Sequence, residues 1–392
     1  MTLSYDRDRL RRCSQADYQR AWVTIDRAAL AHNTRQLRQW LPPGTQLMAV
    51  VKADAYGHGA LPVAETVLAA GAAWLAVATS QEGLHLRQAG IEAPILVLGA
   101  IHAPAEIEAV AAWNLQPTLC TPQQALIFSE TLAQRRQSLP VHLNLDTGMS
   151  RLGMPWTQAL EFVQLVQQLP HLELASVYSH LATADEPDPT FLRVQHQRFE
   201  QAIAQLRAHG IQPPLLHLAN SAATLRDRAL HYDLVRVGLA LYGLYPAPEL
   251  QSVLPLKPVL QVKARVTQVK TLAAGTGVSY GQRYIAPREH RIAVVGIGYA
   301  DGVPRNLSNR LQALVRGQRL PQIGAVTMDQ LMLDASALPD LQPGEVVTLL
   351  GRDGKEAIAA EDWAAALGTI SWEILCGFKQ RLPRVYEPGD RA

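Results

Sequence analysis

The sequence predicts an α/β protein: an N-terminal (β/α)8 TIM-type barrel followed by a C-terminal, mostly β domain. Three observations lead there. Short apolar runs alternate with amphipathic, helix-period stretches between residues 46 and 237, giving eight strands, the rhythm a closed parallel barrel requires. After Gly243 the texture changes to β-branched runs with alternation, which marks strands rather than helices. Polar residues gather at the carboxyl ends of the expected barrel strands, the face where this fold places its chemistry.

Taken in order, residues 1–20 read as a polar N-terminal extension, with Arg9, Arg11, Arg12 and Arg20 but no apolar stretch of a secretory signal. The barrel domain is expected over residues 21–245. Its first strand, Ala21–Ile25, precedes the eight and is assignable to the β domain instead. The eight are expected at Gln46–Lys52, Trp74–Thr79, Ile95–Leu98, Pro117–Cys120, Val141–Asp146, Leu174–Ser179, Leu215–Ala219 and Asp233–Val237. Amphipathic helices are expected at Ala60–Ala70, Ser80–Ala89, Thr121–Arg135, Thr157–Leu169 and Pro189–His209. The linker Tyr245-Pro246-Ala247-Pro248 leads to the second domain, residues 256–388. Strands are expected there at Val259–Lys270, Ile292–Ile297, Leu311–Val315, Gln330–Leu333 and Val346–Leu350. Turn signals stand at Pro321 and Pro343-Gly344, and helices at Ala360–Leu367 and Ser371–Phe378.

Bulk properties narrow the function. A chain of 392 residues exceeds one ordinary core, so two domains are expected. Apolar content of 48% and a net charge of +2 describe a soluble globular protein, without a nucleic-acid stripe or a polybasic membrane patch. No apolar run approaches the ~18 residues of a membrane helix. Cys13, Cys120 and Cys376 are odd in number and far apart. They form neither a disulfide framework nor a zinc-binding spacing, which suits a reducing cytoplasm.

Lysine is scarce. Only six of the 36 basic residues are lysines, and Lys52 stands alone before residue 257, directly after the apolar run Leu47-Met48-Ala49-Val50-Val51. Arginine keeps its proton at any working pH, whereas a desolvated lysine loses it and then attacks carbonyls. Lys52 is therefore the candidate nucleophile, with a Schiff base as its expected chemistry. The alternative is a strand-end lysine with its head in water. Its company decides: Asp146, His180, Asn220-Ser221 and Arg236 are expected on the same rim. Asn220-Ser221 open a helix and Gly238 follows the eighth strand, together suggesting a phosphate site.

The run Ala49-Val50-Val51-Lys52-Ala53-Asp54-Ala55-Tyr56-Gly57-His58-Gly59 resembles the pyridoxal-phosphate signature of the alanine racemases. The likeness continues through Asp146–Gly153, Tyr178–Asp185, His217–Ser221, Val235–Gly238, Val278–Gly281, Gly298–Gly302 and Met328–Gln330. These blocks run in family order from about residue 21 to residue 385. The resemblance implies a pyridoxal 5'-phosphate enzyme that supplies D-alanine for peptidoglycan, with Lys52 binding the cofactor covalently and serving as one acid/base. It implies that Tyr280 is the other acid/base, reaching the opposite face from the partner subunit of a homodimer. A phenol titrates far above neutrality, so that role needs a cationic neighbour or a relay, and His180 is the candidate. Arg236 is expected at the pyridine nitrogen, where a guanidinium disfavours a protonated ring and weakens the electron sink. His217 is expected to hold it. Tyr56, Asn220, Ser221, Gly238 and Leu239 are expected around the cofactor, Arg151 and Met328 at the substrate carboxylate, and Tyr299 and Asp329 in support.

Two positions depart from the family pattern. Asn144 stands where many relatives carry a carbamylated lysine that orients the arginine matching Arg151, so Arg151 is expected either to need a bound anion such as chloride or to be held less firmly. Gln380 stands where many place a phosphate-binding tyrosine. Other functions fit less well. Gly277-Val278-Ser279-Tyr280-Gly281 matches the hydrolase elbow G-x-S-x-G, but no helix or ordered acid and histidine follow it. His142, Asn144 and Asp146 share a strand face, more as a polar barrel layer than as a metal site. A racemase of broader specificity would share every catalytic residue named, and a non-catalytic cofactor-binding barrel would need neither Tyr280 nor the β domain.

Overall fold

The computed structural model describes residues 19–387. Most of the predicted N-terminal extension lies outside these residues. The described chain divides into two units: residues 29–55 with 59–258, and residues 19–28, 56–58 and 259–387.

The first unit is the barrel. Its eight parallel strands are Gln46–Val50, Trp74–Val77, Ile95–Ala100, Gln116–Leu119, Leu139–Asp146, Leu172–Tyr178, Leu216–His217 and Leu234–Val237. Seven neighbouring pairs form ladders, with Leu234–Val237 beside Gln46–Val50. The last seam is held by Asp233 N–H to Leu216 O and Arg236 N–H to Ala219 O, both 3.0 Å. The barrel is thus nearly closed. Leu47, Met48, Leu75, Ile95, Leu96, Val141 and Val235 are fully buried, the near-continuous apolar runs that strands covered on both faces require.

Helices follow the strands for local reasons. Thr79 caps Ser80–Gln88 in a capping box with Glu82, and Thr121 caps Pro122–Arg135, with proline at the helix start. Each cap satisfies backbone N–H groups that the first helical turn cannot. Arg27–Trp40 and Pro104–Ala112 are two further helices beyond those expected from sequence.

The second unit is a nine-stranded sheet. Its axis is Leu260–Leu272, thirteen residues long, which pairs antiparallel with Ala21–Asp26, His290–Val295 and Val346–Asp353. The strand expected ahead of the barrel therefore belongs to this sheet, where Arg384–Glu387 also flanks it. Pro321 is a correction. It lies inside the strand Gln318–Ile323, opposite Gln312, instead of marking a turn. Pairing on the other side of that strand begins only at Gln322, so the missing N–H of Pro321 is not needed there.

Candidate active site

Lys52 does not end a strand. The first barrel strand stops at Val50, and residues 52–57 form a short helical turn in which Ala53, Asp54, Ala55 and Tyr56 all have φ between +52° and +54°. Such a left-handed turn costs roughly 1–2 kcal/mol per non-glycine residue, so its surroundings must impose it. Glu82 accepts from Ala53 N–H at 2.7 Å, Val51 O from Ala55 N–H, and Asp54 Oδ1 from Ala60 N–H at 2.7 Å. Strain of this kind concentrates where chemistry needs a fixed side chain.

Arg236 lies within the eighth strand, 3% exposed. Nη1 donates to His217 Nδ1 at 2.8 Å; Nη2 donates to Ser179 O at 2.7 Å, Leu218 O at 3.1 Å and His180 Nδ1 at 3.2 Å. None of these partners is a carboxylate. Burial lowers the guanidinium to about 10, still protonated at neutrality. Its carbon also lies 5.0 Å from the centre of the Tyr178 ring, which stacks on His217 at 4.6 Å.

A guanidinium only donates, so each imidazole nitrogen facing it must accept. His217 therefore carries its proton on Nε2, which donates to Ser176 Oγ at 2.9 Å. The Ser176 hydroxyl then donates to His142 Nδ1 at 2.6 Å, and His142 Nε2–H to Gln116 Oε1 at 2.7 Å. One cation sets the direction of four consecutive hydrogen bonds. Burial, then Arg236, then His142 hold His217 well below its ordinary value, and burial alone pushes His142 to about 3. His180 is pushed to about 3 by burial, Arg236, Arg151 and Lys52, in that order. It is neutral, with Nδ1 accepting from Arg236 and Nε2 carrying the hydrogen. Nε2–H is thus the donor that this ring offers.

The next two segments converge around a hydroxyl. Asn220 caps Ser221–Arg226 by accepting from Ala223 N–H, and Ser221 Oγ accepts from Gly238 N–H at 3.0 Å and Ala240 N–H at 3.4 Å. Leu239 is buried between them in sequence. Backbone N–H groups, a hydroxyl and a helix start are the donor set an anion needs. Arg151 is exposed on a loop shaped by Asp146, whose Oδ1 accepts from Gly148 and Ser150 N–H. Asn144 is 6% exposed, and its Oδ1 has no protein partner; its amide reaches the thiol of Cys120.

The second unit carries the other expected residues. Tyr56 is buried near Cys376, its phenol raised first by burial. Tyr280 is 71% exposed at the tip of the hairpin Gly277–Val278 and Tyr284–Ile285, bordering an open cleft of about 990 Å³. Met328 is 53% exposed, and its carbonyl accepts from Ala300 N–H at 3.0 Å. Tyr299 N–H donates to Thr327 O, and Asp329 pairs with Arg381 at 2.7 Å. Gln380 is exposed. The residues that sequence reasoning missed are Ser176 and Gln116. Their signal was an alternate-position polar pattern on neighbouring strands: Gln116 and Thr118, His142 and Asn144, Ser176 and Tyr178.

A barrel whose rim gathers a lysine at the head of a strained turn, a histidine and a buried arginine without a carboxylate partner is the scaffold of an enzyme acting on a small molecule. The family model "Alanine racemase, N-terminal domain" matches residues 25–246, and "Alanine racemase, C-terminal domain" matches residues 259–386. The chain is 70% identical over 369 residues to an alanine racemase of Nostoc sp., covering 94% of this chain and 96% of the relative. It is 63% identical over 367 residues to one of Synechocystis sp., covering 94% and 99%. The crystal structure of alanine racemase from Bacillus anthracis with bound L-Ala-P superposes with a TM-score of 0.89 at 38% identity, over 95% of this chain and 96% of that one. The enzyme of Streptomyces lavendulae gives 0.88 at 37% identity, over 95% and 98%. The chain belongs to the alanine racemase family and is an isomerase.

Proposed function

We propose that this isomerase interconverts L- and D-alanine with pyridoxal phosphate held at Lys52, and that Lys52 and Tyr280 exchange the α-proton on opposite faces of the substrate. When bound, pyridoxal phosphate supplies a conjugated ring that draws electrons from Cα and acidifies its proton. The observation that carries this reading is Arg236, a buried guanidinium bonded to two neutral imidazoles and two carbonyls. A buried charge without an anionic partner is costly unless something else answers it. An aromatic nitrogen nearby, with a phosphate on Ser221, Asn220, Gly238 and Leu239, fits that donor set, and Tyr56 is assigned to the same phosphate.

Inverting Cα requires a proton to leave one face and another to arrive on the opposite face, so two flanking groups suit it. Lys52 Nζ serves one face and Tyr280 Oη the other. His180, whose Nε2–H is free to donate by tautomer, is assigned to hold the tyrosine oxygen when it is deprotonated. Arg236 cannot accept a proton, so it would leave a pyridine nitrogen held beside it unprotonated and would moderate the ring's pull on Cα. That favours simple proton return over loss of other groups. Arg151 and the Met328 backbone orient the substrate carboxylate. Tyr280 and Met328 come from a second copy of the chain, so the enzyme works as a homodimer. Its D-alanine is assigned to peptidoglycan synthesis in the cytoplasm.

Borohydride reduction of the holoenzyme and peptide mapping test the assignment. The label is expected on Lys52, and a label elsewhere overturns the reading. Tyr280→Phe is expected to keep that label while racemisation falls on the order of 10²–10⁴-fold, the usual worth of an acid/base group. Assays with L-alanine, L-serine, L-lysine and L-arginine then define the side chain accepted.

A further inference from the structure

The turn that carries Tyr280 is strained on both sides. Ser279 has φ 64° and ψ −173°, Gly281 has φ 69° and Gln282 has φ 44°. A serine at Ser279's angles and a glutamine at positive φ cost on the order of 1–3 kcal/mol each and persist only where the surroundings insist. The two-residue ladder of the hairpin, Gly277–Val278 with Tyr284–Ile285, is too short to insist.

Ser279 Oγ donates to Ala325 O at 2.8 Å, and Asn309 supplies a second grip. Its Nδ2 donates to Arg283 O at 3.1 Å, on the chain just after the Tyr280 turn. Its Oδ1 accepts from Gly324 N–H at 2.6 Å. Gly324 lies directly under the start of the turn: a Cβ there would stand 2.7 Å from Val278 O and 3.2 Å from Ser279 Cβ. One amide therefore holds the strand leaving the turn and the backbone supporting the strand that enters it. Asn309 is itself fixed. It sits at φ 61°, a conformation asparagine tolerates better than most residues, and its N–H donates at 2.7 Å to Oε1 of Gln322. Gln322 is 2% exposed and its Nε2 bonds the carbonyls of Ile323 and Gly324.

We propose that Asn309 is a positioning residue for Tyr280, setting where the phenol stands without touching the substrate. The inference rests on Tyr280 being a proton-transfer group. An amide is required because one position must donate and the other accept. Asn309→Gly removes both bonds but keeps the backbone conformation accessible. Asn309→Asp keeps the Gly324 bond and faces a carboxylate toward the Arg283 carbonyl.

The test uses the holoenzyme with α-deuterated L- and D-alanine, and amide exchange of the folded protein. In both variants kcat is expected to fall roughly 10- to 100-fold, the scale of a misplaced reacting group, with KM within about twofold. The deuterium isotope effect is expected to rise for the enantiomer whose proton Tyr280 removes and to fall for the other, because only one of two transfers is slowed. Amide exchange at Gln282, whose N–H bonds Ser279 O, is expected to quicken. A loss of folded enzyme lowers both directions alike and moves neither isotope effect. Unchanged isotope effects, or equal shifts in both directions, overturn the proposal, as does unaltered exchange at Gln282. If Asn309→Gly does not fold, Asn309→Asp carries the test alone. Wild-type racemisation by Tyr280→Phe would instead overturn the underlying assignment of Tyr280.

Discussion

Arg236 Nη1 donates to His217 Nδ1 across 2.8 Å inside the barrel, and that bond decides where the imidazole keeps its proton. Because the cation only donates, His217, Ser176, His142 and Gln116 follow in a single sense. The arrangement orients a guanidinium with neutral partners, none of them a carboxylate.

Acid should weaken this unit through its histidines. His142 and His180 sit at about 3 in the folded protein and His217 is also well lowered, while an unfolded histidine titrates near 6.5. The unfolded chain thus binds protons the folded one refuses. Their stabilising effect is complete above about pH 6.5 and is lost as pH falls toward 3, by up to about 1.4 kcal/mol per pH unit per group. Nitrogen-15 spectra should show His142 and His217 neutral at pH 5, protonated on Nε2. Imidazolium signals from either in the folded protein at that pH would contradict the chain.

Ser176→Ala removes the acceptor of His217 Nε2–H and the donor to His142 at once. Leaving such buried groups unpaired costs about 1–3 kcal/mol, to be read in the denaturant midpoint. His217 should keep its proton on Nε2, because Arg236 still requires Nδ1 to accept, whereas His142, whose Nδ1 has lost its donor, should show mixed tautomers. A stability change below about 0.5 kcal/mol with an unaltered His142 tautomer would mean that the serine is ornamental.

Gly298→Ala should disturb the segment bearing Met328. A Cβ at Gly298 would stand 2.3 Å from Thr327 O and 2.5 Å from Met328 O, both backbone atoms that cannot rotate away. Overpacking of this sort costs about 1–3 kcal/mol. KM for alanine should rise more than kcat falls, since the substrate carboxylate is the group assigned to Met328. Steady-state kinetics with unchanged KM would dissociate Met328 from that contact.

Self-association should be read on the second unit's exposed apolar side chains. Tyr280, Ile285, Met328 and Tyr299 are each between 40% and 71% exposed, side chains that a second copy of the chain would cover. Sedimentation equilibrium is expected to give a dimer, and Ile285→Lys to weaken it with a parallel loss of racemisation. Constant activity per chain on dilution to monomer would remove the partner-supplied Tyr280.

Much of this was legible in the residues. The period of the apolar runs placed the barrel strands within a few residues of where they lie, and Ala360–Leu367 is a helix with those bounds. The strand Gln318–Ile323 was hidden by Pro321, since a proline reads locally as a turn and only the neighbouring ladder shows that its N–H is not needed. The left-handed turn after Lys52 was equally hidden: Ala53, Ala55 and Tyr56 have no local preference for positive φ, and Glu82, some thirty residues on, helps impose it.

The sequence by itself determined the kinds of group available and their order: one early lysine, a rim of polar residues, a tyrosine in a later hairpin. Those follow from residue chemistry and short-range periodicity, which each segment carries alone. Tertiary structure decided their electrical state and aim. Whether a histidine is neutral, which nitrogen holds its proton, and which backbone a lone asparagine grips depend on burial and on partners distant in the chain, and only packing brings those together.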